Sequence, residues 1–141
     1  MIKYWLCAVL LVGLVEATSG GEPSCVATPL ARREAERLVL SVPEALTAKK
    51  MGGKLSATEY KPPHSNDDFY YFTLLSTVST PTTPLDNGML GYFSVNKLTG
   101  RVVNVADEDV VGKELEKLQA KLRTKHCIGR ALVLKNQAIQ P

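Results

Sequence analysis

The sequence predicts an α+β fold: one domain with a curved antiparallel sheet of three to five strands, an N-terminal helix and a second helix packed on it. Three observations lead there. Leu30, Ala31, Ala35, Leu38, Val39 and Val42 recur at helical spacing. Phe69 to Ser79 is dense in aromatic and β-branched residues, the composition of a strand. Val111, Leu115, Leu118 and Leu122 then return to steps of four, three and four, the stripe of a core-facing helix.

The first residues set the expected compartment. Lys3 is followed by an apolar run from Tyr4 to Val15 and by small residues at Ala17 and Ser19. This is the layout of a secretory signal peptide over residues 1–19, cleaved after Ala17 or Ser19. The run falls short of the roughly 20 apolar residues that span a bilayer. The expectation is therefore a periplasmic or secreted protein with no stable membrane insertion after cleavage, an uncleaved anchor being the alternative. Leu6 before Cys7 is too large for lipid attachment there. Loss of the leader leaves Cys25 and Cys127, and in an oxidising compartment the default for two cysteines is a disulfide. A zinc site would need carboxylates to complete it, since His64 and His126 are the only histidines.

About 120 residues remain, read as a single domain over 20–135 with a frayed tail over 136–141. The formal charge of +3 survives cleavage because Lys3 and Glu16 leave together. The densest basic cluster, residues 123–126, sits where a helix ends and its dipole favours cations. No basic stripe with interleaved aromatics accompanies it, so nucleic acid is not expected as a partner. No Asn-X-Ser/Thr acceptor occurs either.

Along the chain, Thr28 and Pro29 read as the N-cap and first residue of a helix running to about Ser41. Pro43 then opens a kink or a second short helix capped by Ser41, with Gly52 and Gly53 as the stop. Residues 54–61 read as a first strand ended by Pro62 and Pro63, and Phe69 to Ser79 as a long one. Asp86, Asn87 and Gly88 supply turn chemistry before a strand from Met89 to Val95. Tyr92, Phe93 and Val95 lead into Asn96 to Gly100, and Val102, Val103 and Val105 lead out. That is a hairpin in which Gly100 takes positive φ. Asp107, Glu108 and Asp109 read as acids at the N-terminus of the last helix. Ala131 to Leu134 could add an edge strand.

Candidate functional residues follow from the loops. Asn96, Lys97 and Thr99 form the hairpin tip, although turn geometry alone accounts for Asn96 and Thr99. His64, Asp67 and Asp68 lie in a polar loop before the long strand, and Asp86 and Asn87 lie in the 80–88 loop. Loops of this kind carry recognition in sheet-based domains. Phe69, Tyr71, Tyr92 and Phe93 could line a pocket on the sheet, with core packing as the competing explanation. No Gly-X-Ser-X-Gly, His-Glu-X-X-His or phosphate-cradling glycine loop is present, so no catalytic residue, metal ligand or cofactor is assigned.

"YFSVNKLTGRVVNV" resembles the strand-turn-strand signature of PepSY-like exported bacterial domains: a hydrophobic strand, Asp or Asn, two variable residues, Thr-Gly, and a second strand. Asn96 stands where Asp is commoner. Similar hairpins occur in cystatin-like folds and in some exported immunity proteins with nuclear-transport-factor-like folds. The resemblance implies an extracytoplasmic protein partner. The expected function is that of a non-catalytic inhibitor or immunity protein occluding a cell-wall hydrolase, a peptidase or a toxin. The alternative is a small-molecule or peptide binding module using the concave sheet face.

The cysteine reading has a direct check. Mass spectrometry of the unreduced mature protein is expected to show it lighter by about two hydrogens than the reduced chain, and two free thiols would overturn the bridge.

Overall fold

The structure, a computed structural model, describes residues 25–81 and 88–128. The leader over 1–19, Asp86, Asn87, the strand expected at Ala131 to Leu134 and the 136–141 tail lie outside the described residues. The described elements are α1 (Arg32–Val39), α2 (Pro43–Lys50), β1 (Leu55–Glu59), β2 (Phe69–Ser76), β3 (Met89–Asn96), β4 (Val102–Asn104) and α3 (Lys113–Lys125). The four strands form one antiparallel sheet in the order β1-β2-β3-β4, so the α+β expectation holds. Among the described residues, no helix is long and apolar enough to cross a membrane.

Side-chain alternation divides the sheet into two faces. Phe72 lies opposite Phe93 and Leu74 opposite Gly91 across β2 and β3, and Val95 lies opposite Val102 across β3 and β4. Phe72, Leu74, Phe93, Val95 and Val102 are all buried. They form one core with Leu30, Leu38, Val39, Val42, Ala45, Ala48, Leu115 and Leu122 from the helical layer. Burying one such large apolar side chain stabilises the fold by about 1.5–3 kcal/mol.

The helices depart from the sequence pattern where other hydrogen bonds, long-range and local, compete. Thr28 and Pro29 do not start α1, whose N-cap is Ala31. Instead the Thr28 N–H donates to the His126 carbonyl at 3.1 Å and the Leu30 N–H to the Lys97 carbonyl at 2.7 Å. Those bonds hold the segment extended between the end of α3 and the hairpin. Glu34 in the first turn accepts the Ala31 N–H at 2.8 Å, doing the capping that alanine cannot. Pro43 does begin a separate helix, but its N-cap is Val42. The Ser41 hydroxyl donates back to the Arg37 carbonyl at 2.8 Å rather than capping. Gly52 stops α2 with φ 82°.

Three strands are shorter than the sequence suggests, and β1 covers only Leu55–Glu59 of the expected 54–61. β2 ends at Ser76, because the Ser76 N–H turns to the Gly88 carbonyl at 2.7 Å and the Ser76 hydroxyl accepts the Val78 N–H at 3.0 Å. β4 ends at Asn104, whose side-chain oxygen accepts the N–H groups of Ala106 and Glu108 and folds the chain into a turn. Val105 is consequently exposed. The acids at 107–109 therefore do not cap the last helix. Asp107 has φ 58°, Asp109 bridges back to Val103 and ion-pairs with Arg101, and the Asn104 amide donates to Glu108 at 3.1 Å. α3 starts later, with Glu114 and Glu116 in its first turn. Leu115 and Leu122 are buried as the stripe requires, whereas Val111 precedes the helix and is exposed.

Cys25 and Cys127 are bridged, with Cα atoms 5.9 Å apart across 102 positions of sequence. In the chain-entropy account, closing a loop of that length contributes about 4–5 kcal/mol.

The hairpin has the turn its sequence suggests. The Gly100 N–H donates to the Asn96 carbonyl at 2.9 Å, and Gly100 has φ 69°. A β-carbon there would lie in van der Waals contact with Leu30 Cδ1 at 3.4 Å, so it is the dihedral that excludes a branched side chain. Gly100→Val is expected to lower stability by about 2 kcal/mol or more, read as a lower urea midpoint with unchanged slope. A midpoint equal to the parent's would show that the turn carries no such constraint.

Candidate functional site

The face of the sheet turned away from the helices carries the residues available for recognition. Tyr71 and Tyr92 alternate with buried Phe72 and Phe93, and Tyr60 follows β1 opposite Tyr71, to whose carbonyl its N–H donates at 3.0 Å. Three strands thus deliver three phenols to one place. The Tyr60 ring packs edge-on to Tyr71 at 6.1 Å and to Tyr92 at 5.3 Å between centroids, and Phe69 lies 6.3 Å from Tyr71. Edge-to-face contacts of this kind hold the rings in fixed orientations. Burial, together with the neighbouring Tyr92 and Tyr71 hydroxyls, pushes the Tyr60 phenol above its ordinary value, so it stays protonated and able to donate. Tyr92 keeps 37% of its surface exposed.

A hollow of about 280 Å3 adjoins this cluster, bordered by His64, Tyr60, Tyr71, Tyr92, Val105 and Asp107. His64 therefore belongs to the rim of the tyrosine face. Asp67 and Asp68 lie elsewhere, at the junction between the 62–68 loop and the hairpin tip. The Lys97 N–H donates to the Asp68 carbonyl at 2.8 Å, the Lys97 ammonium contacts the Asp67 carbonyl, and Lys97 Nζ stands 4.7 Å above the Tyr70 ring. Asn66 organises that loop: its N–H donates to the Tyr71 hydroxyl at 2.9 Å and its side-chain oxygen accepts the Asp68 N–H at 2.9 Å.

The hairpin tip is bound into the fold. Asn96 Oδ1 accepts the N–H groups of Leu98 and Thr99, both at 2.9 Å, and the Thr99 hydroxyl accepts the Arg101 N–H at 3.2 Å. The Gln119 amide donates to the Gly100 carbonyl at 2.9 Å, and Arg123 donates to the Thr99 carbonyl at 3.1 Å. Asn96 Oδ1 and the Thr99 hydroxyl are thus engaged by the turn. Phe93 borders the same hollow as Tyr71 and Tyr92, while it is itself buried and belongs to the helix-side core. Asp86 and Asn87 lie outside the described residues.

A second groove, of about 680 Å3, runs beside β1 between Arg32, Lys61 and Lys97, with Glu59, Asp67 and Tyr70 also on its walls. Arg32 pairs with Glu59 at 2.5 Å across it. Among the described residues, no group of three or more His, Cys, Asp and Glu side chains is placed to hold a metal ion.

Among the described residues, Glu34 centres a partly buried ionised cluster between α1 and the end of α3. Glu34 receives the Lys125 ammonium at 2.6 Å, and His126 Nε2 approaches it at 2.8 Å, obliquely rather than along a straight hydrogen bond. His126 Nδ1 meets the Thr28 hydroxyl at 2.8 Å. Burial of the carboxyl would raise its pKa, but Lys125, His126 and the Ala31 N–H outweigh burial and hold it at about 2.

Tyr60 is the residue that sequence reasoning missed at this site. The available signal was the spacing of tyrosines against buried phenylalanines in each strand, which becomes informative only once the register aligns three strands. No protein-family model matches the chain, and no curated protein matches it either. Among solved structures, a type VI secretion system effector-immunity complex from Pseudomonas protegens contains a chain 21% identical to this one, with a TM-score of 0.44, over 74% of this chain and 84% of that chain. A likeness that loose transfers neither partner nor site.

The Glu34 cluster predicts a pH dependence. A carboxyl held at about 2 in the fold and at its ordinary 4.5 when unfolded contributes stability that is fully present above 4.5 and is lost as pH falls toward 2. Glu34→Gln is expected to remove that part of the decline, so that urea midpoints of the variant between pH 4.5 and 2.5 fall less steeply than those of the parent. Parallel curves would show that Glu34 is not the group responsible.

Proposed function

We propose that the chain is an exported, non-catalytic protein-binding domain that inhibits a secreted or periplasmic hydrolase or toxin, in the manner of an immunity protein, and that the tyrosine face makes the contact. The observation that carries this reading is the cluster of Tyr60, Tyr71 and Tyr92 on the outer face of the sheet, held edge to face. Tyrosine combines a large apolar body with a polar tip, loses little entropy on docking, and is enriched where protein surfaces bind tightly. Here its rings are fixed before a partner arrives, which lowers the ordering cost of association.

The surroundings suit the same role. His64 and Asp107 border the aromatic patch with polar groups, as a rim borders an interface centre. The leader layout in residues 1–19 supports export, and the Cys25–Cys127 bridge suits an oxidising compartment. Occlusion of an active site requires a stiff surface rather than reacting groups, and a tyrosine-bearing sheet provides one.

The test is affinity capture from the native extracytoplasmic fraction, followed by an activity assay of whatever is retained. The mature parent is expected to retain one secreted hydrolase or toxin and suppress its activity. The Tyr60→Ala, Tyr92→Ala double variant is expected to bind at least about 100-fold more weakly while keeping the parent's circular dichroism. Equal binding by a folded double variant would overturn the tyrosine face as the contact, and a captured partner whose activity is unchanged would overturn inhibition.

A further inference from the structure

The two edges of the sheet are finished differently. At the β4 edge, the Val110 N–H donates to the Val102 carbonyl and the Asn104 N–H to the Glu108 carbonyl, both at 3.0 Å, while Asp109 bridges to Val103. That edge is covered by its own chain. At the other edge, β1 pairs with β2 alone among the described residues. Antiparallel hydrogen bonds alternate along a strand. The Tyr60 N–H donates to the Tyr71 carbonyl and the Thr77 N–H to the Lys54 carbonyl, each at 3.0 Å, so the even-numbered positions from 54 to 60 face β2. The N–H and C=O groups of Ala57 and Glu59 consequently point away from the sheet.

This edge is lightly guarded against pairing: it is five residues long and its one charge, Glu59, is paired with Arg32. Leu-Ser-Ala-Thr-Glu contains neither Pro nor Lys, and its pairing with β2 runs without a bulge. The groove of about 680 Å3 opens beside it, with Ala57, Glu59, Arg32, Lys61 and Lys97 among its lining residues. Ala57 is small, so an added strand about 4.8 Å away could set a side chain into the groove next to it. The lining carries three cations against the carboxylates of Glu59 and Asp67. Glu59 occupies the Arg32 Nε–H, one of the five N–H donors of a guanidinium.

We infer that residues 57–59 of β1 take up an extended acidic segment of the partner protein as a fifth strand, with a carboxylate side chain turned toward Arg32 and Lys61. The inference rests on the protein-binding reading above and adds the mode of docking and the chemistry of the docked segment. Backbone hydrogen bonds supply the attachment and the groove supplies the preference for charge. A second copy of this chain is the poorer occupant. Paired antiparallel about Ala57, it sets Glu59 opposite Leu55 and brings no carboxylate to Arg32.

The test uses the mature, disulfide-bonded chain labelled with nitrogen-15 and two capped eight-residue peptides, one alternating Thr with Glu and one alternating Thr with Lys. The Thr-Glu peptide is expected to slow amide exchange at Ala57 and Glu59 by about tenfold at saturation while leaving Thr58 and Tyr60 unchanged, because their N–H groups already point to β2. The Thr-Lys peptide is expected to bind about tenfold more weakly, and Arg32→Ala to bring the two peptides to within about threefold of each other. Unaltered exchange at Ala57 and Glu59 would overturn the inference. Slowing of those amides by protein concentration alone would overturn it in favour of a second copy. Changes confined to Tyr71 and Tyr92 would overturn strand addition while leaving the tyrosine face in place, and loss of partner capture by the tyrosine variant tests that face separately.

Discussion

The pairing of Phe72 with Phe93 is the constraint on which the rest of the structure depends. It fixes the parity of the two central strands, and parity decides which side chains meet the helices. With those two rings in the core, Leu74, Val95 and Val102 follow them inward, while Tyr71 and Tyr92 are placed on the opposite face. A slip of one residue would exchange the faces, setting tyrosine hydroxyls against Leu38 and Val39 and exposing phenylalanine to water. Core and recognition surface are therefore two consequences of one register.

The helical layer is held to that sheet by contacts between parts of the chain far apart in sequence. The extended residues 28–30 bond to the end of α3 on one side and to the hairpin on the other. Glu34 draws Lys125 and His126 onto the first turn of α1. A carboxylate removed from water is costly unless its charge and its lone pairs are both answered, and here a cation and a backbone N–H answer them, with the His126 ring alongside. Cys127 sits just past α3 with φ 57°, the left-handed conformation that commonly ends a helix, and Ile128 is buried directly after it. The bridge to Cys25 thus leaves the fold at a point already fixed by the helix end.

Much of this architecture is legible in the sequence because it rests on local periodicity. The stripe of Leu115, Leu118 and Leu122, the aromatic run after Phe69, the break at Pro43 and the positive φ of Gly100 each follow from a few neighbouring residues. The errors have a common form: a polar group found a partner, near or far, that the local pattern does not reveal. Thr28 reads as a cap and instead meets His126, Asp109 reads as a dipole acid and instead pairs with Arg101, and Val105 reads as strand and instead follows the turn made by Asn104. The candidate site was legible only in part for the same reason. Asn96, Lys97 and Thr99 stand out as a loop motif, yet two of them complete a turn. Tyr60 is inconspicuous between Glu59 and Lys61 until register sets it beside Tyr71 and Tyr92.

The bridge also governs how the domain carries mechanical load. Cys25 and Cys127 lie near the two ends of the described residues with their Cα atoms 5.9 Å apart. Tension applied to the chain before residue 25 and after residue 127 passes through the covalent link between them. The sheet, the hairpin and the helices hang from that link as a closed loop outside the line of force. Between residues 25 and 127 the oxidised chain transmits the load without extending, whereas the reduced chain must resist it with hydrogen bonds and packing alone.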